Sequence, residues 1–244
     1  MSKKKLSKQK QVLRVIGVVA LKVLIIFFLL SIISVLALKW IDPFASSVMI
    51  QRKISSIFSS DESSTIHYNW VNYDDISVNA KLAVVAAEDQ NFTYHFGFDF
   101  EQIGRAINES QRGRRLRGAS TITQQVAKNL FLWNGKSFIR KGFEAYFTVL
   151  IESFWSKRRI LEVYLNITEM GNMIYGISAA GKKYFNRSAV KLTKEQAALI
   201  AAILPNPVKY SVTHPSDYTL KRKNWILNQM KSLGGNSYLE NINQ

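Results

Sequence analysis

The sequence predicts a mostly helical body behind a single N-terminal transmembrane helix, on three observations. A basic tail without any acid precedes a long apolar run, Val15 to Leu38. From Ser77 onward, apolar residues recur at helical spacing behind N-cap residues. Over the same stretch no sustained strand-like alternation occurs.

The composition narrows the function classes. A chain of 244 residues, 47% hydrophobic and 20% charged, is long and apolar enough for one globular domain plus an appendage. Its 33 basic and 17 acidic residues leave a net charge of +16, which calls for an anionic partner: nucleic acid, anionic lipid or a phosphorylated substrate. With no cysteine, disulfides and thiolate metal sites are excluded, and the compartment stays open.

In chain order, residues 1–14 form a basic tail with Lys3, Lys4, Lys5, Lys8, Lys10 and Arg14. Residues 15–40 read as a membrane anchor, long enough for the roughly 20 residues that a bilayer core requires. A cleaved signal peptide fits less well, because the apolar region is too long and no A-x-A-like site follows it. Lys22 can snorkel to the interface, and the positive-inside rule places the N-terminus in the cytoplasm and the body outside. Nucleic acid is therefore not the expected partner, and the remaining positive charge is expected to face lipid phosphates. Residues 41–76 look like a connector of little periodicity, with Pro43 and the polar run Ser59 to Thr65. Residues 77–244 make the helical body.

Ser77 can cap a helix that ends on two adjacent carboxylates, Glu88 and Asp89. An ionised acid at a helix C-terminus loses roughly 0.3–1 kcal/mol. That field, with burial beside Phe92 and Phe96, would raise a carboxyl pKa toward the value a general base needs. Taken alone, the pair reads first as a solvated helix end. Phe100 to Ser110 has helical spacing, and Gln111 to Gly118 sets four arginines around two glycines as a basic loop. Thr121 and Gln124 have capping-box spacing. The N–H groups there, with Arg117 and Lys128, suit a phosphate cradle, and equally an ordinary capped helix beside a solvated loop. Lys136, Arg140 and Glu144 follow at i, i+4 steps on one helical face, with Phe143, Phe147, Leu150 and Ile151 toward a core; surface ion pairing explains the charges as well. Small residues at Gly176, Ala179 and Ala180 permit close helix packing. Thr193 and Gln196 begin a further helix that stops at Pro205 and Pro207, and a basic helix over Tyr218 to Leu233 ends at Gly234 and Gly235. No cluster with metal-ligand spacing appears.

Together these segments resemble glycosyltransferase family 51, the peptidoglycan polymerases. The resemblance lies in Glu88 to Asp99 (EDQNFTYHFGFD), Gly118 to Asn129 (GASTITQQVAKN), Arg140 to Glu144 (RKGFE), Arg159 to Asn166 with its downstream glycines, and Ala197 to Pro207. It runs from about Asn69 to Ser211 and points to the family's monofunctional form, since the transpeptidase K-T-G motif is missing from the sequence.

The resemblance implies a lysozyme-like, mostly α glycosyltransferase domain with a small mobile lobe around Arg112 to Arg117. It implies polymerisation of lipid II by attack of an acceptor 4-hydroxyl on a donor held by polyprenyl diphosphate, with inversion. Glu88 would be the base, and Glu144 the second carboxylate, orienting cations or assisting the donor. Lys128, Lys136, Arg140 and Lys141 would meet the diphosphate, with N–H groups from Ser120 to Thr123. Asp89, Ser120, Thr121, Thr123, Gln124, Gln125 and Asn129 complete the expected substrate set, although helix packing explains the amides about as well. His95 and Asp99 would shape the first motif. At Lys136 arginine would be expected in many relatives, and lysine lacks its bidentate fork. No cofactor is required on this reading, although the diphosphate can bring Mg²⁺ or Mn²⁺, loosely held by Glu144. The implied partners are lipid II, the growing glycan, the cytoplasmic membrane and other cell-wall synthesis proteins, but no nucleic acid. The implied location is the bacterial inner membrane with the catalytic domain periplasmic. Phe131 and Trp133 would dip into lipid or pack in the core. A glycan-cleaving hydrolase or lytic transglycosylase is the first rival, though it has little use for Lys128, Lys136 and Arg140. A membrane-anchored scaffold is the second.

Overall fold

The computed structural model describes residues 3–58, 65–112, 118, 120–135, 137–240 and 242, with side chains from residue 11 onward and that of residue 236 excepted. The chain divides into two compact units, 1–41 and 42–244.

The first unit is one helix, α1 (Lys3–Leu38). Its part from Gln11 to Leu38 is long and apolar enough to cross a membrane, since 28 residues at about 1.5 Å each exceed a hydrocarbon core of about 30 Å.

The second unit is built almost wholly of helices. They are α2 (Ser47–Phe58), α3 (Val78–Glu88), α4 (Phe100–Gln111), α5 (Ile122–Phe131), α6 (Phe138–Phe154), α7 (Lys157–Ile167), α8 (Gly176–Phe185), α9 (Lys194–Ile203), α10 (Asp217–Ser232) and α11 (Asn236–Glu240). Two short parallel strands, β1 (His67–Tyr68) and β2 (Ile174–Tyr175), pair His67 with Ile174.

Local chemistry places the helix starts as the sequence implies. Ser77 accepts from the Ala80 N–H, and both Thr121/Gln124 and Thr193/Gln196 close as reciprocal capping boxes. Gly234 and Gly235, at φ +87° and +65°, follow α10 and turn the chain. The connector is the exception, because it contains α2. That helix is held by distant partners: Ser47 Oγ and Gln51 Nε2 donate to the Leu132 carbonyl at 2.8 and 2.9 Å, and Arg52 pairs with Glu169 at 3.3 Å.

The core centres on α7, which buries Ile160, Leu161, Val163, Tyr164, Leu165, Asn166 and Ile167. α3 packs against α9 and α10, and α5 against α6 and α7. Asn166 pairs with both backbone groups of Val71 at 2.9 Å, and a side chain at Gly176 (φ +80°) would come within 2.3 Å of the Asn166 carbonyl. Phe131 stacks on Phe147 with ring centroids 4.4 Å apart, so it belongs to this packing, whereas Trp133 keeps 45% exposure at the edge of Phe143.

Candidate active site

Glu88 is the last residue of α3, and its carboxylate is reached from two other helices, with a third behind them. From α5, the Gln125 amide donates to Oε2 at 3.0 Å. That amide is oriented by the wholly buried Tyr164 of α7, whose hydroxyl donates to Gln125 Oε1 at 3.2 Å. From α10, Arg222 Nη2 lies 3.4 Å from Glu88 Oε1 and 3.4 Å from the Ala87 carbonyl. Burial pushes the Glu88 carboxyl above its ordinary range; the Gln125 hydrogen bond, Arg222 and Lys128 act against that, and Asp89 adds to it. The enclosing groups differ from those expected. Phe92 is buried in the core, but Phe96 is 57% exposed.

Asp89 serves a different purpose. Its Oδ2 accepts from the Ile122 N–H at 2.9 Å, and its Oδ1 lies 2.9 Å from His95 Nε2. A carboxylate thus seals the N-terminus of α5, where its charge is favourable. The Thr121 N–H is held by Gln124 Oε1, and the Gln124 N–H by Thr121 Oγ1. The expected phosphate cradle is therefore largely occupied by the protein's own groups. Thr121 and Thr123 are buried, and their hydroxyls donate to the Gly97 carbonyl at 2.7 Å and to Glu152 Oε1 at 2.6 Å. Glu152 in turn receives Lys157 Nζ at 2.8 Å. Gln124 and Asn129 are also buried in α5, while Ser120 is exposed.

A polar cavity of about 250 Å³ opens beside Glu88 and Asp89, bordered by Ser120, Gln102, Trp225 and Gln229. On the α5–α6 side lies a cationic cluster. The Lys128 ammonium has no hydrogen-bond or ion-pair partner among the described residues; burial lowers its proton affinity, which Glu144 most strongly and Glu88 more weakly raise back. Glu144, 3% exposed, is held between Arg140 Nη1 at 2.7 Å and Lys141 Nζ. Each Glu144 oxygen faces one of these cations, and no group of three His, Asp or Glu among the described residues is placed to bind a metal. Lys136 and residues 113–117, including Arg117, lie outside the described residues.

The structure thus joins Glu88 and Gln125 directly, places Lys128 within electrostatic reach of Glu88, sets Arg140, Lys141 and Glu144 as a second group, and turns Thr121, Thr123 and Gln124 inward. Sequence reasoning misses Arg222 as a partner of Glu88 and Tyr164 as the residue behind Gln125. Tyr164 lay within a quoted motif, whereas Arg222 was one cation in a basic helix.

A family model described as Transglycosylase matches residues 53–231. A biosynthetic peptidoglycan transglycosylase of Pseudomonas entomophila (strain L48) is 50% identical over 209 residues, 86% of this chain and 88% of the relative. Proteins of the same name from Chromohalobacter salexigens and Pseudomonas syringae pv. syringae are 51% identical over 213 residues (87% and 91% of the two chains) and 47% over 222 (91% and 94%).

Proposed function

The chain belongs to the transglycosylase family, and on that premise we propose that it polymerises lipid II with Glu88 as the general base. It is a glycosyltransferase of cell-wall glycan synthesis.

The observation that carries the proposal is the pairing of a buried carboxyl, held above its ordinary range, with an enclosed ammonium, Lys128, that has no partner among the described residues. As the acceptor 4-hydroxyl oxygen bonds to the anomeric carbon of the donor, Glu88 Oε1 takes its proton. The bond from that carbon to the diphosphate oxygen breaks, and its electron pair leaves with the polyprenyl diphosphate. Attack from the opposite face inverts the configuration. Lys128 and Arg140 then neutralise the charge gathering on the diphosphate, in a setting where burial strengthens the attraction. Glu144 aligns Arg140 and Lys141 for that purpose. A divalent ion, where one takes part, would arrive with the diphosphate. A hydrolase would need the carboxyl without this cationic side.

The anchor α1 would keep the body beside its lipid-borne substrate, with the basic residues Lys3 to Arg14 in the cytoplasm and the body on the periplasmic side.

The test is polymerisation of purified lipid II by the full-length chain and by Glu88→Gln, read on a gel that resolves glycan strands. Removal of a general base should lower the rate by about 10²–10⁴-fold with the melting temperature unchanged. Cleavage of preformed glycan without strand synthesis would give the reaction to the hydrolase.

A further inference from the structure

We propose that Arg222 is a positioning residue for this reaction: from α10, its guanidinium holds the Glu88 carboxylate ionised and fixed in orientation, leaving Oε1 free to accept the substrate proton. The inference rests on the reading of Glu88 as the base.

Three observations carry it. The two Glu88 oxygens are claimed from opposite sides, Oε2 by Gln125 at 3.0 Å and Oε1 by Arg222 at 3.4 Å, which fixes the plane of the carboxylate. The guanidinium is itself enclosed, with 19% side-chain exposure and a buried Nε that has no hydrogen-bond partner among the described residues, so its field at Glu88 is weakly screened. The contact is also loose. Arg140 Nη1 reaches Glu144 at 2.7 Å and Arg159 Nη1 reaches Glu162 at 2.7 Å, distances of full charge-assisted hydrogen bonds. At 3.4 Å, Arg222 biases the charge state while Oε1 keeps the capacity to bond to a hydroxyl.

The other groups bearing on Glu88 cannot replace this cation. Asp89, on the same turn, acts in the opposite sense, and Lys128 of α5 has its own proton affinity lowered by burial. Gln125 and the Tyr164 behind it are neutral. α9, packed along α3, buries only alanines and isoleucines, and Tyr238 of α11 is bound to the Gln90 carbonyl at 3.1 Å. Arg222 is the contact whose charge stays constant across the working pH range.

The experiment compares kcat/KM for strand synthesis from pH 5 to 9 in the full-length wild type, Arg222→Gln and Arg222→Lys, with melting curves to establish folding. A base works in its ionised form, so the acid limb falls as pH drops through its pKa; loss of the cation raises that pKa and moves the limb to higher pH. Relative to wild type, Arg222→Gln should lose about tenfold more activity at the acid end than at the alkaline end, and Arg222→Lys should bring the limb most of the way back. Carbodiimide labelling of Glu88, which requires the protonated carboxyl, should persist to higher pH in Arg222→Gln, a readout independent of turnover. Should the glutamine variant fail to fold, Arg222→Met keeps the side-chain bulk and is held to the same outcome. A uniform loss across pH with unchanged labelling would refute the role. Strand synthesis by Glu88→Gln would instead overturn the base assignment beneath it; an inactive Glu88→Gln beside a wild-type-shaped Arg222→Gln profile would refute Arg222 alone.

Discussion

Asp89→Ala should loosen the protein far more than its place beside the base suggests. The side chain is 2% exposed, and its two oxygens carry the Ile122 N–H and His95 Nε2, each at 2.9 Å. Truncation strands the buried N–H of the first α5 residue, which costs about 1–3 kcal/mol. It also removes a negative charge from that helix start, about 0.3–1 kcal/mol more. His95, whose Nδ1 has no partner among the described residues, loses the side-chain hydrogen bond it makes there, about 1 kcal/mol. The total is about 2–5 kcal/mol, or roughly a 10 °C fall in melting midpoint for a body of this size. Asp89→Asn keeps an oxygen for Ile122 and should cost about half as much. Circular dichroism melts of the full-length chain in detergent measure both, with strand synthesis assayed well below the lower midpoint. An alanine variant melting within about 2 °C of wild type would refute the clamp. A stable but inactive asparagine variant would move Asp89 into the chemistry.

Glu144→Gln should move the alkaline limb of the pH profile. Lys128 must stay protonated to meet the diphosphate, burial already lowers its pKa, and Glu144 is the strongest group raising it; without that charge, activity is lost at lower pH on the alkaline side while the acid limb stays in place. A limb that does not move would exclude Lys128 as the titrating group. Gly97→Ala should destabilise by about 2–4 kcal/mol, measured by denaturant melts, because the residue sits at φ +76° and a Cβ would meet Thr148 Cγ2 at 2.6 Å and Glu152 Cγ at 3.0 Å. Unaltered stability would mean that the turn after Glu88 is not pressed against α6.

Much of this fold is legible because its signals are local. Ser77, Thr121 with Gln124, and Thr193 with Gln196 announce helix starts within four residues of themselves, and the structure completes each cap as its spacing implies. α2 escapes such a reading. Its partners Leu132 and Glu169 lie 81 or more residues away, and a flanking proline and polar run disguise it as linker. The site divides similarly. Glu88, Gln125 and Lys128 stand in recognisable motifs, but whether a helix N-terminus is open to a ligand depends on what fills it, and nothing local says that Asp89 folds back onto Ile122. Arg222 sits between Lys221 and Lys223, and only the packing of α10 on α3 singles it out.

That packing also accounts for which acid in the region is left to react. Asp99 caps α4 through the Gln102 N–H at 2.8 Å and binds the Asn91 amide at 2.9 Å. Asp89 is consumed by a backbone N–H and a histidine, Glu152 by Thr123 and Lys157, and Glu144 by Arg140 and Lys141. Each of these acids is tied to groups that hold the helices, so turning one toward a substrate hydroxyl would disturb those bonds, at a cost of about 1–3 kcal/mol for each charge-assisted bond lost. Glu88 has one firm partner, a neutral amide, and one distant cation. The fold thus spends the acids around Glu88 on holding α4, α5 and α6 in place, and the carboxyl they surround retains a site for the proton that glycan extension must remove.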